Sequence, residues 1–284
     1  KRYRYETWHL LHLYAYLGIY LALPHQIFTG ADFTASTFTS VFWWSLWGFV
    51  ALGNIFYRLL MPINITLRHT PKVKSIKQVE ENLYVLTIEG KNFDKLKVLP
   101  GQFFNFRFLT SPGFTQAHPF SLSAPITPTT MEVTFKKVGD GTASMTKLLP
   151  GTRVFLEGPY GALTPTHSEE VIVIGAGTGM APLKAIVEAH PKATQVIVRT
   201  KVEEGYFPQI FQNTIAPNIT TILPGPRKRK SWLPATVSNL VFTPTDTQNF
   251  YLCGPKKWCT HVETWLLEKG VASTRIHQET FGWE

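Results

Sequence analysis

The stretch VIVIGAGTGMAPL, from Val171 to Leu183, decides the architecture of the second half of the chain. Its four leading aliphatic residues are typical of a strand that is buried on both faces. Gly175, Gly177 and Gly179 then allow a sharp turn beside a bulky ligand, and Pro182 fits a first helical turn. Free N–H groups at such a turn bind anions, most often a nucleotide pyrophosphate. Many glycine-rich turns bind nothing, so the neighbouring segments decide between the two alternatives.

Strand-like and helix-like segments alternate along the rest of the chain. They are Pro182 to His190, TQVIVRT, Phe207 to Asn213, ITTIL, Pro234 to Leu240, NFYLCG, Lys256 to Gly270 and TRIHQETF. This order predicts an α/β domain with a doubly wound parallel sheet over residues 167–284. In such sheets, ligands bind at the carboxyl ends of the strands.

Three candidate binding segments follow predicted strands. They contain Gly175, Gly177, Thr178, Gly179 and Pro182, then Arg199 and Thr200, and finally Cys253, Gly254 and Pro255. Arg199 stands where an NAD-specific fold carries an acid, which favours a 2′-phosphate and therefore NADPH. Glu203 and Glu204 weaken that preference, so NADH stays possible. Arg227 to Lys230 is a further phosphate candidate, with a solvated loop as the alternative.

Residues 72–166 have the pattern of a small antiparallel β-barrel. Short alternating segments such as YVLTIEG, QFFNFRFL, MEVTFKK and RVFLEG are separated by Pro and Gly turns. The run AHPFSLS lies between two of these strands, at residues 117–123. Residues 136–144, KKVGDGTAS, place cations beside glycines and hydroxyls, which is a reasonable phosphate cradle. A solvated hairpin is the alternative interpretation of this second run.

Residues 1–62 have the composition of a membrane segment, and residues 63–71 are a predicted linker. Thr7 to Ala31 and Phe33 to Tyr57 contain no Asp, Glu, Lys or Arg, and each exceeds the ~20 residues that cross a bilayer. Basic residues flank the pair on both outer sides, and the link between them has none. The pattern predicts a transmembrane helical hairpin with both ends, and the domains that follow, in the cytoplasm.

A histidine inside a bilayer is energetically unfavourable, so the histidines in the first predicted helix indicate a function. His12 and His25 are separated by ~20 Å along a helix, which is a suitable spacing for two stacked haems. A distortion at Pro24 is needed to bring the two onto one face. The alternative is that His9 and His25 are polar anchors at the headgroup level.

The overall composition excludes several other classes of protein. The formal net charge of +9 suits anionic lipid or phosphorylated ligands, whereas nucleic-acid motifs are absent. Cys253 and Cys259 are the only cysteines, so neither a disulfide framework nor a structural zinc site is predicted. The first residue is not Met, and we expect the chain to be the C-terminal piece of a longer protein.

Five motifs in order carry a resemblance to a known family: HPFSLS, KKVGDGT, GAGTGMAP, YLCGP and ETF. They resemble the FAD and pyridine-nucleotide domains of the ferredoxin-reductase superfamily. The histidine-bearing hairpin resembles the membrane part of the NADPH oxidase and ferric reductase family, most closely its bacterial, streptococcal-type oxidases. That family has a six-helix membrane bundle, so the resemblance implies that helices outside this chain complete the ligation of haem.

The resemblance also implies a role for each motif. FAD would be bound by His118, Pro119, Phe120 and Ser121, with Lys136, Gly141, Thr142 and Ser144 near its diphosphate. NADPH would lie on the three candidate segments, with Cys253, Gly254 and Pro255 near the nicotinamide. Phe281 would stack on the flavin and move aside for nicotinamide, so Phe281 and Cys253 are the predicted catalytic residues. His12 and His25 would each ligate one haem b.

The prediction is therefore a multi-pass NAD(P)H oxidase of the cell membrane. Electrons would pass from cytosolic NADPH through FAD and two haems to O2, producing superoxide, with membrane lipid and the remaining membrane helices as partners. A transmembrane ferric reductase is the alternative with another acceptor. A membrane-anchored module that senses nucleotide without oxidising it is the alternative of another class, and no nucleic-acid partner is expected.

Overall fold

The computed structural model describes residues 5–34, 36–110, 116–166, 168–190, 192–226, 232–234 and 243–281. The chain separates into two compact units, Lys1–Met61 and Pro62–Glu284. His12 and Phe281 are described by their backbone alone. The candidate basic run at residues 227–230 and the last three residues, 282–284, lie outside the described residues.

The first unit is helical. Its elements are α1 (Tyr5–Thr29), α2 (Ala31–Thr34), α3 (Thr37–Ile55) and a π-helical segment (Phe56–Leu60), which leads into α4 (Met61–His69). Ser36 caps α3 by accepting a hydrogen bond from the Thr39 amide at 3.2 Å. Within the described residues, Thr37–His69 is the one helix that is long and apolar enough to cross a membrane. The predicted first span, α1, is helical but does not meet that criterion.

Large apolar side chains are exposed on these helices. Phe28 and Phe38 are each 80% exposed, and Phe49 is 78% exposed. Exposed apolar surfaces of this kind are typical of segments that contact an apolar environment. The described part of residues 5–61 contains α1 to α3 and the π-helical segment, so the six-helix bundle is not present in this part of the chain.

Residues 63–69 of the predicted linker are helical and belong to α4. From Pro62 on, this helix is itself part of the second unit, in which the Leu156 amide donates to Thr66 Oγ1 at 3.1 Å. His69 is buried, and its Nδ1 lies 2.7 Å from the carbonyl oxygen of Lys91. The segment is thus a structural part of the barrel domain.

The predicted antiparallel β-domain is confirmed. Its strands are β1 (Lys72–Glu80), β2 (Leu83–Glu89), β3 (Phe103–Phe108), β4 (His118–Ser121), β5 (Thr130–Lys136) and β6 (Val154–Tyr160). They form two three-stranded sheets in the orders β1-β2-β5 and β4-β3-β6. Alternate residues of β3, Phe104, Phe106 and Phe108, point into the core, as the period of two requires.

The predicted parallel sheet is also confirmed. Its strands are β7 (Glu170–Ala176), β8 (Ala193–Arg199), β9 (Thr220–Leu223), β10 (Gln248–Pro255) and β11 (Ile276–Phe281), in the order β11-β10-β7-β8-β9. The longer helices are α6 (Met180–Ala189) and α8 (Lys256–Glu268), and α5 (Asp140–Met145) and α7 (Tyr206–Ile210) are short. The strand order reverses between β7 and β10, which makes their carboxyl ends the expected ligand site. Beyond Pro234, the predicted helix over residues 234–240 lies outside the described residues.

Candidate functional site

The glycine turn after β7 has one packed face and one open face. A Cβ atom on Gly179 would lie 2.2 Å from the Cys253 carbonyl oxygen, and one on Gly175 would lie 2.4 Å from Met180 Sδ. Gly177 has a φ of +56°, and no described atom lies within 4 Å of its Cβ position. Packing therefore explains Gly175 and Gly179, whereas Gly177 leaves the turn open where a ligand would approach.

Cys253 and Glu279 are neighbours on the parallel strands β10 and β11. Burial raises the pKa of the Cys253 thiol well above its usual value, with Glu279 and Cys259 as further causes. Burial also raises the pKa of Glu279, whose Oε2 has no hydrogen-bond partner among the described residues. Cys253 is therefore a neutral thiol at neutral pH and not a thiolate nucleophile. Its predicted place beside nicotinamide stays a prediction.

Strand β4 and the first turn of α5 come together. The His118 ring is buried and stacks on Phe120, with 6.2 Å between ring centroids and an interplanar angle of 5°. A Cβ atom on Gly141 would lie 3.1 Å from His118 Cε1 and 2.9 Å from Gln116 Nε2. Two predicted FAD segments that are distant in sequence therefore form one surface.

Ser121 at the end of β4 is an unusual polar residue. Its Oγ is buried, and among the described residues it has no hydrogen-bond partner. Such a group costs about 1–3 kcal/mol unless a ligand or water satisfies it. The unpaired hydroxyl on the predicted FAD strand fits a polar group of a bound flavin.

The hydroxyls of helix α5 are already used locally. Thr142 Oγ1 accepts from the Val138 amide at 2.9 Å and from the Gly139 amide at 3.2 Å. Ser144 Oγ donates to the Gly141 carbonyl oxygen at 2.7 Å. Thr142 Oγ1 also donates to the Gly139 carbonyl oxygen at 3.1 Å, so donation from either hydroxyl to a diphosphate would replace a bond to a carbonyl oxygen. The backbone at the start of α5 is thus the better candidate for that contact.

A depression opens between the barrel and the parallel sheet. Its lining includes Lys136, Gly177, Thr178, Arg199, Thr200, Glu80 and Glu81. The structure therefore places Lys136, a predicted FAD residue, with the predicted nucleotide residues. The two carboxylates oppose the cations, so the depression has no strong preference for a 2′-phosphate.

Arg199 lines this depression, but its guanidinium donates to the main chain. Nε is 3.3 Å from the Trp232 carbonyl oxygen, and Nη1 and Nη2 lie 3.0 and 2.9 Å from those of Leu223 and Gly225. Nη1 also donates to the Thr200 carbonyl oxygen. Binding of a 2′-phosphate by Arg199 stays a prediction, and these bonds favour a structural role.

The histidines of α1 do not form a complete metal site in the described residues. His25 is exposed, and Thr29 Oγ1 lies 3.4 Å from its ring nitrogens. The part of the chain that the structure describes contains no cluster of three or more His, Cys, Asp or Glu suited to a metal. The side chain of His12 lies outside the described residues. The described residues therefore do not supply a pair of axial ligands for either haem.

No protein-family model matches the chain. The 3-ketosteroid-9-alpha-monooxygenase ferredoxin reductase component of Mycolicibacterium smegmatis is 27% identical over 202 residues, which are 66% of this chain and 57% of that protein. The chain thus spans little more than half the length of this relative.

Solved structures show the fold. The flavohem-like FAD/NAD binding domain of nitric oxide dioxygenase from Vibrio cholerae O1 biovar El Tor matches with a TM-score of 0.61 at 20% identity, over 75% of this chain and 98% of that one. A ferredoxin NADP+ reductase from Neisseria gonorrhoeae with bound FAD and NADP matches with a TM-score of 0.58 at 19% identity, over 75% and 98%. The chain has the ferredoxin-reductase fold. Membership in the NADPH oxidase and ferric reductase family stays a prediction.

Sequence reasoning missed two polar residues of this ferredoxin-reductase fold. Glu279 belongs to the ETF motif, but its contact with Cys253 depends on the parallel pairing of β10 and β11. Lys184 is buried on α6, and the signal for it was a single cation within an otherwise apolar helical stretch. Both residues lie beside the predicted nucleotide site.

His118 predicts a pH dependence of stability. Its pKa is lowered by burial and, secondarily, by the charge of Arg107. The unfolded imidazole protonates near its usual pKa of about 6.5, so below that pH the unfolded state binds more protons and stability falls. We expect His118→Gln to lose less stability than the wild type between about pH 7 and pH 5, as measured by urea unfolding at both pH values. Equal losses in the two proteins would contradict the role of His118. The other histidines are the same in both proteins, so their contributions to the pH dependence cancel in the comparison.

Proposed function

We propose that this chain is a flavin-dependent NAD(P)H reductase. The observation that carries the proposal is that one compact unit holds both the β4 strand, with its unpaired Ser121 hydroxyl, and the open glycine turn beside Cys253. The reductase component from Mycolicibacterium smegmatis and the FAD- and NADP-bound reductase from Neisseria gonorrhoeae support the same class of activity.

The residues of the chain would bind and orient the two cofactors. His118 and Phe120 would provide a flat aromatic surface for FAD, and Ser121 Oγ would hydrogen-bond to it. The open side of Gly177 would admit a pyrophosphate. Bound FAD would supply the conversion of a two-electron hydride into single electrons. The buried Cys253 and the half-buried Glu279 would exclude water from the nicotinamide end of the site.

Both NADPH and NADH are proposed as hydride donors. Lys136 and Arg199 provide positive charge in the depression, whereas Glu80 and Glu81 provide negative charge. Ribose hydroxyls suit a carboxylate, and a 2′-phosphate suits a cation. The lining therefore accommodates either nucleotide.

The finer part of the proposal is a membrane oxidase. The exposed aromatic side chains of α1 and α3, and the absence of charged residues from 7–31 and 33–57, support placement of the first unit in the cell membrane. Its partners would be lipid and further membrane helices that supply the missing haem ligands. O2 is the proposed acceptor, and ferric iron is the alternative.

The reductase proposal is tested with the full chain and its Ser121→Ala variant. We expect the wild type to retain FAD and to lose flavin absorbance when NADPH or NADH is added without oxygen. In FAD-free protein, Ser121→Ala should be neutral or stabilising because it removes an unpaired hydroxyl. Its affinity for FAD should fall by about tenfold, the effect of one hydrogen bond of ~1.4 kcal/mol.

Two results would contradict this proposal. An unchanged FAD affinity of Ser121→Ala would remove Ser121 from the flavin site. Binding of nucleotide without any flavin reduction would instead favour the nucleotide-sensing module. Superoxide and ferrous iron assays on the complete membrane protein then distinguish the oxidase from the ferric reductase.

A further inference from the structure

Lys184 is a lysine in an interior position. Only 4% of its surface is exposed, although lysine is among the residues least often buried. Its Nζ donates to the Ser123 carbonyl oxygen at 2.8 Å and lies 3.2 Å from Glu132 Oε1 and 3.1 Å from Glu188 Oε1. The three N–H donors of the ammonium therefore have three acceptors.

Two of these acceptors belong to the other domain of the second unit. Ser123 follows β4 by two residues, and Glu132 lies on β5, whereas Lys184 and Glu188 lie on α6. Ser123 and Glu132 are themselves joined, because Ser123 Oγ donates to Glu132 Oε1 at 3.0 Å and the Ser123 amide donates to the Glu132 carbonyl oxygen at 2.8 Å. Lys184 thus bonds to a rigid part of the barrel.

The same helix carries the glycine turn. Helix α6 begins at Met180, directly after Gly179, and Leu183 packs under Gly175, where an added Cβ would lie 2.6 Å from Leu183 Cδ1. Ser123 lies two residues beyond Ser121, the candidate flavin contact. One side chain therefore connects the helix behind the nucleotide turn to the strand that ends at the flavin site.

We propose that Lys184 is a positioning residue for hydride transfer, which sets the distance between bound nicotinamide and bound flavin. The inference rests on the proposed reductase function. Hydride transfer needs reacting atoms about 3–3.5 Å apart, and a misplacement of 1 Å can cost about 10²-fold in rate. Lys184 touches neither cofactor and acts through Ser123 and the helix.

A second contact keeps the two domains associated when Lys184 is replaced. The Tyr206 amide donates to Glu80 Oε2 at 2.9 Å, which joins α7 to β1. Burial raises the pKa of Tyr206 to about 12, and the charges of Glu132 and Glu188 contribute to this shift. Loss of Lys184 therefore changes the alignment of the two domains while leaving them in contact.

The test compares Lys184→Met with Lys192→Met, in which an exposed lysine of the same domain is lost. We expect Lys184→Met to slow single-turnover flavin reduction about 10- to 100-fold with nucleotide affinity changed less than threefold. Lys184→Arg should restore most of the rate because it can still donate to the Ser123 carbonyl and to Glu132. Lys192→Met should behave as the wild type.

A double variant separates positioning from stability. Lys184→Met with Glu132→Gln removes one of the two carboxylates that lose their partner, the one in the barrel, so it should regain part of the stability and yet keep slow flavin reduction. Recovery of the rate together with stability would show that Lys184 is merely structural and would overturn the proposal. If Lys184→Met alone does not fold, flavin reduction is measured on the double variant instead.

Hydrogen exchange tests the same contact without flavin. In the FAD-free full chain, peptides covering residues 122–134 and 180–190 should exchange faster in Lys184→Met than in the wild type or Lys192→Met. Unchanged exchange would overturn the proposal. If the wild type reduces no flavin, the reductase function fails, while the exchange result still decides whether Lys184 joins the domains.

Discussion

Gly179→Ala is expected to destabilise the second unit by about 3 kcal/mol or more, because the new Cβ has no space. It would lie 2.2 Å from the Cys253 carbonyl oxygen and 2.7 Å from the Gly254 amide nitrogen. Both contacts are with backbone atoms of a central strand, which cannot rotate away as a side chain does. The free energy of unfolding in urea, followed by tryptophan fluorescence, measures the loss.

Gly139→Ala is the matched control for this substitution. Gly139 is in an extended conformation with a φ of −157°, and no described atom lies within 4 Å of its Cβ position. We expect its unfolding free energy to stay within about 0.5 kcal/mol of the wild type. A Gly179→Ala protein as stable as this control would mean that the turn and β10 are not in close contact.

Arg199→Ala is the second substitution with a large expected effect. It removes a donor from four carbonyl oxygens, those of Thr200, Leu223, Gly225 and Trp232. The Leu223 oxygen still accepts from the Thr200 amide, and the Trp232 oxygen still accepts from Trp258 Nε1. One unsatisfied buried acceptor costs about 1–3 kcal/mol, and we expect a total loss of about 3 kcal/mol in unfolding free energy. Because the cause is structural, the KM values for NADPH and NADH should rise by similar factors.

The exposed Arg153 is the control for this loss of charge, and Arg153→Ala should be within about 0.5 kcal/mol of the wild type. A selective rise in the KM for NADPH, with normal stability, would contradict the structural role. That result would restore Arg199 as the ligand of the 2′-phosphate.

Element type was predicted from the sequence with good boundaries. The segment MEVTFKK, residues 131–137, is matched by β5 at Thr130–Lys136, and VIVIG is contained in β7 at Glu170–Ala176. The predicted helix from Lys256 to Gly270 is α8 at Lys256–Glu268. These predictions succeed because the periods of two and 3.6 residues reflect which side chains are buried, and burial determines residue type locally.

Residues 63–71 show where local reasoning was insufficient. The segment was predicted to be a linker, but it is helical to His69. His69 is buried because Phe93 and the Lys91 carbonyl oxygen lie beside it. A partner 22 residues away in the chain leaves no signal in the segment itself.

The features of the site also differ in whether the local sequence or the tertiary structure determines them. The sequence by itself determined the glycine turn, the strand that precedes it and the order of the two domains, since each depends on backbone conformation or on the residues next in the chain. Only the tertiary structure decided that Arg199 donates to carbonyl oxygens, that Glu279 lies against Cys253 and that Lys184 joins α6 to the barrel. Apart from the bond of Arg199 to the neighbouring Thr200, each of these contacts joins residues at least 24 positions apart. Which distant atoms meet is decided by packing and not by local periodicity.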